Sequence, residues 1–98
     1  MNANEILERA ADHMRNRAAT YDSEQAGERS MQKTVDMFNI LVDGVPGPMT
    51  TEQGWLFMSI LKMVRSQQGR YHPDNYEDGT AYFALAGEQA HADRARQG

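Results

Sequence analysis

Lys62 and Arg65 are three residues apart on a stretch that is otherwise almost wholly apolar, and Asp74, Asn75, Asp78 and Tyr82 follow closely behind them. The stretch runs from Thr50 to Arg65, TTEQGWLFMSILKMVR, with Trp55, Leu56, Phe57, Met58, Ile60, Leu61, Met63 and Val64 spread round it. A helix of that composition is buried on most sides. Ser59, Lys62, Arg65 and Ser66 break its apolar surface, and spacings of three and four put them on one narrow stripe. Cations set into such a helix need partners, because an isolated buried charge is costly. Asn75, Asp78 and Tyr82 recur at i, i+3 and i+7 and would offer a carboxylate, an amide and a phenol from one face of a second helix, with Asp74 as a further acid. Two chemistries fit this arrangement. One is an ion-pair network that holds two helices in register. The other is a polar pocket for an anionic ligand or a metal–phosphate.

These groups meet if the helices carrying them form a hairpin. Gly69 is a natural helix terminator and Pro73 cannot sit inside a helix, so the link between them is short and the two helices run antiparallel. His72, before Pro73, is expected to be extended. Thr50 with Gln53 forms a capping-box pattern at the start of the central helix, and Asp74 with Glu77 forms a second one. Upstream, Leu7, Ala10, Ala11, Met14 and Ala18 make a light apolar stripe with Ile6 at its edge, and Asn4 is the expected cap. His13 has no second histidine at a metal-ligand spacing and reads as a surface residue. Met31, Val35, Phe38 and Val42 mark another amphipathic helix, which the turn around Pro46, Gly47 and Pro48 ends. That turn is no phosphate loop, since no lysine follows its glycines.

The expected architecture is all-α: one compact four-helix domain over residues 1–98 with the apolar third helix in the centre. Helices are predicted near 4–17, 28–42, 51–68 and 74–93. Loops are predicted near 18–27, 43–50 and 69–73, with a frayed tail at 94–98. Trp55, Met58, Leu61 and Phe38 are the expected core. Gly79 and Gly87 fall inside the fourth helix, at about 1 kcal/mol each against alanine, which suggests close approach of a helix or a ligand there. Phe57, Met63, Tyr76 and Phe83 exceed what so small a chain can cover, which points to a homodimer or higher oligomer.

Composition narrows the classes. The chain has 98 residues, a formal charge of −4 and no cysteine. Disulfide frameworks and thiolate zinc sites are excluded. No block of basic residues is present, which argues against a reader of nucleic-acid backbone. MNANEILERAADHM has no basic region followed by an apolar run, so no signal peptide is predicted, and no segment reaches membrane-spanning length. A cytoplasmic protein is the simplest expectation.

ILKMVRSQQGRYHPDNYEDGTAYFALAGE, Ile60 to Glu88, with its K-x-x-R and D-N-x-x-D-x-x-x-Y patterns, resembles a family of short bacteriophage and prophage proteins of unknown function. RAATYDSEQAGERS, Arg17 to Ser30, resembles the loop such proteins carry before their second helix. They are in turn distantly similar to the all-helical MazG-type nucleotide pyrophosphohydrolases. That likeness implies a four-helix core whose acidic motifs, E-x-x-E and E-x-x-D, bind magnesium, with phosphate oxygens completing its shell. Here E-x-x-E is absent from the central helix, which has no acid after Glu52. Asp74 and Asp78 would form half of a metal site, and Glu24 or Glu28 would have to supply the rest.

Three functions follow. The first is a small phage accessory protein that binds a nucleotide or other phosphorylated ligand through Lys62, Arg65, Asn75, Asp78 and Tyr82, in the host cytoplasm if phage-encoded. The second is a reduced magnesium-dependent nucleotide pyrophosphohydrolase with Asp74, Asp78 and Glu28 on the metal. The third is a modulator of a host or defence protein through protein–protein contacts.

Overall fold

The computed structural model describes residues 1–21 and 30–97, and every regular element among them is helical. The elements are α1 (Ala3–Tyr21), α2 (Ser30–Leu41), α3 (Thr51–Ser66) and α4 (Pro73–Gln97). The all-α, four-helix expectation holds. α3 is central: α4 packs along it as an antiparallel hairpin and α2 packs against it on another side.

Local chemistry sets the helix ends. The Thr50 hydroxyl accepts from the Gln53 backbone N–H at 3.1 Å, and the Gln53 side chain accepts from the Thr50 N–H at 3.0 Å. This is the capping box expected for α3, and such caps stabilise a helix by about 1 kcal/mol. The helix ends at Gln67, and Gly69 then takes a φ of +63°, the left-handed conformation that glycine adopts without strain. α4 begins differently from expectation. Pro73 is its first residue, so Asp74 is already inside the helix and no longer in the cap position. Proline suits the first helical position because its missing N–H would be unpaired there anyway. In α1 the cap is Asn2, not Asn4: the Asn2 Oδ1 accepts from the Glu5 N–H at 2.9 Å.

Two boundaries extend past the predicted ones. α1 continues to Tyr21, so residues 18–21 are helical and the rest of the predicted 18–27 loop lies outside the described residues. α4 continues to Gln97, which removes the predicted fray at 94–97. Side-chain pairs support that last stretch: Gln89 donates to Asp93 at 2.8 Å and Arg96 pairs with Asp93 at 3.0 Å. Arg94 and Arg96 also sit where the helix dipole favours positive charge.

The core is small. Phe38, Ile60, Leu61, Val64 and Ala86 are its buried apolar side chains among the described residues. Phe57 and Val42 pack against the Phe38–Ile60–Val64 cluster, with the Phe38 and Phe57 rings edge to face at 5.5 Å. Trp55 and Met58, expected in the core, are half-buried. Trp55 lies in the first turns of α3, and its ring stacks on Tyr82 at 5.9 Å near the edge of the helix pair. On α2 the buried face is Ser30, Thr34 and Phe38 rather than Met31 and Val35. Its hydroxyls are satisfied within the fold, Thr34 by the Ser30 carbonyl at 2.6 Å and Ser30 by Gln68 Oε1 at 2.7 Å. The second bond ties the start of α2 to the residues just past α3.

Among the described residues, α1 has no buried side chain and makes no substantial contact with the other helices. Its stripe contains more alanine than leucine, so it offers little area to the core. The radius of gyration, 16.4 Å, exceeds the ~13 Å of a close-packed chain of this length. No described helix is long and apolar enough to cross a membrane.

Candidate functional site between α3 and α4

The hairpin places α3 and α4 close enough for one helix backbone to touch the other's side chains. Ser59 is buried, and its hydroxyl donates to the Gly79 carbonyl at 3.1 Å. A Cβ on Gly79 would stand 3.3 Å from the Lys62 Cβ, tighter than an ordinary contact. Gly79 is therefore where the helices meet, as its position in the sequence suggested. Gly87 has open space beside it and serves no such approach.

A groove of about 250 Å³ opens along this contact, with Ser59 and Gly79 in its lining. Lys62, Ser59 and Ser66 form its α3 wall, and Asn75, Tyr76 and Phe83 its α4 wall. Lys62 reaches across to Asp78, with Nζ 3.3 Å from Oδ2. The expected bridge between the helices is present. Its two ends differ in setting: the Lys62 side chain is 11% exposed and that of Asp78 is 48% exposed. Water screens the carboxylate, so the pair lies between a surface ion pair and a buried one. Asp78→Asn is expected to lower the unfolding free energy by about 1 kcal/mol, a small midpoint shift in urea with unchanged slope. An unchanged midpoint would mean that Lys62 is solvated without its partner.

Asn75 is the exceptional group. It is 2% exposed, and among the described residues neither its amide nitrogen nor its amide oxygen has a hydrogen-bond partner. A buried unsatisfied carboxamide costs about 1–3 kcal/mol, so native structures contain few of them. This one is on the groove wall beside a lysine.

The other expected site residues divide. Arg65 shares the Lys62 stripe and is half-buried, but it is not part of the groove wall. Asp74 is exposed on the first turn of α4. Tyr82 lies outside the groove, because its angle round α4 turns its ring to Trp55, away from the side on which Tyr76 and Phe83 line the groove. The expected network is thus narrower than the spacing implied. Tyr76, Thr80 and Phe83 line the groove and were not anticipated as site residues. They follow from the i+1 and i+4 neighbours of Asn75 and Gly79 once the facing side of α4 is known.

The magnesium arrangement is not assembled from described residues. No three acidic or histidine side chains among them gather as a metal site. Asp78 is engaged by Lys62, while Glu24 and Glu28 lie outside the described residues.

A family model described as a domain of unknown function, DUF6378, matches residues 5–90. The chain belongs to that family. No curated protein and no solved structure matches it.

Proposed function

We propose that this member of the DUF6378 family is a binding module for a nucleotide or other phosphorylated small molecule, held in the groove between α3 and α4. The observation that carries the reading is Asn75, a buried carboxamide with a donor and an acceptor both unused, facing a groove that also holds Lys62. A ligand that pairs with both amide atoms would relieve the cost of burying them. Lys62 supplies a positive charge for a phosphate. Tyr76 and Phe83 are exposed at the groove and offer ring faces to a base, and Tyr71 stacks on Tyr76 at 6.2 Å to extend that surface. Base–aromatic stacking contributes about 1–3 kcal/mol per base in other systems. Ligand pockets usually enclose about 300–1,000 Å³. A groove of about 250 Å³ suits one moiety of a nucleotide, with the remainder in solvent.

The stretch that resembles short phage proteins, Ile60 to Glu88, contains every groove residue except Ser59, which supports an accessory role of that kind for this site. Hydrolysis has weaker support, because Asp74 is exposed, Asp78 is paired with Lys62, and no three acidic or histidine side chains among the described residues gather round a metal position.

The test is a thermal-shift panel of nucleoside mono-, di- and triphosphates, with inorganic phosphate and plain nucleosides as controls, each with and without magnesium. A ligand at a hundredfold excess over its Kd stabilises the native state by about 2.7 kcal/mol. The expected result is a rise in Tm with at least one nucleotide, absent in Lys62→Ala, whose own fold is intact. No shift with any member of the panel would overturn the reading. Magnesium-dependent turnover lost on changing Asp74 or Asp78 would replace it with the enzyme.

A further inference from the structure

Among the described residues, α1 is an amphipathic helix with no substantial packing on the other helices of its chain. Leu7 is 66% exposed, and Ile6 and Met14 are exposed beside it. Glu5, Glu8, Arg9 and Asp12 occupy the rest of its circumference, and Arg15 pairs with Asp12. Helices of this length are marginal in water and take most of their stability from packing an apolar face. A formed α1 therefore implies a surface that receives its stripe.

The same chain exposes such a surface. Met37, Ile40 and Leu41 of α2, Leu56 and Met63 of α3 and Phe83 of α4 line an apolar groove of about 580 Å³. Ile40 is 77% exposed, more than any other large apolar residue among those described. A groove walled by three helices with an apolar floor is the usual receptor for an amphipathic helix.

We propose that α1 of one copy lies in the α2–α3–α4 groove of a second copy, and reciprocally, so that the chain forms a two-fold dimer by exchanging its first helix. Area favours reciprocity. A 19-residue helix is about 28 Å long and about 10 Å wide, so docking one covers roughly 280 Å² on each side. A single docking event buries about 560 Å², below the ~1,000 Å² expected of a specific interface. Two events related by a two-fold axis bury about 1,100 Å², which passes it. A two-fold exchange also closes on itself and leaves no groove open for a third copy. Met63 and Phe83 border both this groove and the one at Asn75, so a docked α1 would cover one side of the Phe83 ring, but the dimer is tested by mass and needs no ligand.

Light scattering of the full chain at tens of micromolar tests it, together with the Leu7→Glu and Ile40→Glu variants. Both positions are exposed in the single chain, so neither charge disturbs the core. The unaltered chain is expected at twice its 11.1 kDa mass, and each variant at 11.1 kDa. Far-ultraviolet circular dichroism should lose helix in both variants, as α1 melts without its receptor, while the cooperative unfolding of the α2–α4 unit persists. An 11.1 kDa particle for the unaltered chain would overturn the exchange, including the case in which α1 folds onto its own groove. A dimer that survives either substitution would overturn it as well, because the contact would then run through another surface.

Discussion

Asn75→Leu is expected to raise the unfolding free energy by about 1–3 kcal/mol, against the usual direction of a substitution at a buried position. Leucine has the branching of asparagine with methyl groups in place of the amide atoms, and the groove beside position 75 leaves room for their extra bulk. At 2% exposure, with no partner for either amide atom, Asn75 contributes burial of polar groups and no hydrogen bond in return. Replacing an unsatisfied polar group by an apolar one of similar shape removes that cost. The same change deletes the donor and acceptor that a ligand would use, so the nucleotide-dependent rise in Tm should disappear as intrinsic stability increases. Urea denaturation with and without nucleotide measures both effects in one variant. A loss of stability on Asn75→Leu would instead mean that the amide supports the fold of the unliganded chain.

Leu61→Ala has the largest expected effect on the fold, a loss of about 2–5 kcal/mol, as for other buried leucines. Leu61 is 6% exposed on the central helix, one of five buried apolar side chains among the described residues. With so few, the neighbours cannot easily close the space that a lost isobutyl group leaves. Whole domains are stable by only about 5–15 kcal/mol, so this one change could consume much of the total. Chemical denaturation monitored by circular dichroism provides the measurement, and a change below about 1 kcal/mol would contradict the core as described.

The parts of this molecule that were legible in its sequence are those governed by strong local or periodic signals. Trp55 to Val64 announced a central helix by sheer apolar content, and Thr50 with Gln53 announced its start. The short link after Gly69 was enough to bring Lys62 opposite Asp78. Tyr82 shares a helix face with Asn75, but the groove opens on the Tyr76–Phe83 side of that face, which the periodicity of α4 alone does not reveal. The α2 register went to Ser30 and Thr34 because small hydroxyl residues, bonded internally, allow helices to approach where Met31 would hold them apart. Polar side chains of this kind carry no signal in an apolar-periodicity reading. Asn75 was visible as a polar member of the right face, but only the packing of α4 on α3 shows that it is buried without a partner. α1 reads correctly as a helix. Its separation from the other three is a matter of tertiary contact that its stripe does not encode.

The central place of α3 also affects the timing of the chain's birth on the ribosome. Synthesis proceeds from the N-terminus, so α1 and α2 emerge before the helix that α2 packs on. At about 5–20 residues per second, the interval from the end of α2 to the end of α3 lasts roughly 1–5 s. During that interval Phe38 has no core to enter, and Ile40 and Leu41 are open to any apolar surface nearby. The α3–α4 hairpin has little closure entropy to overcome, because its link is short. It can form as soon as its second helix is clear of the ribosomal tunnel, and α2 then condenses onto a hairpin already made. The nascent chain is thus most exposed to chaperones and proteases in its first half, and a product truncated before α4 would leave the α4-facing side of α3 uncovered.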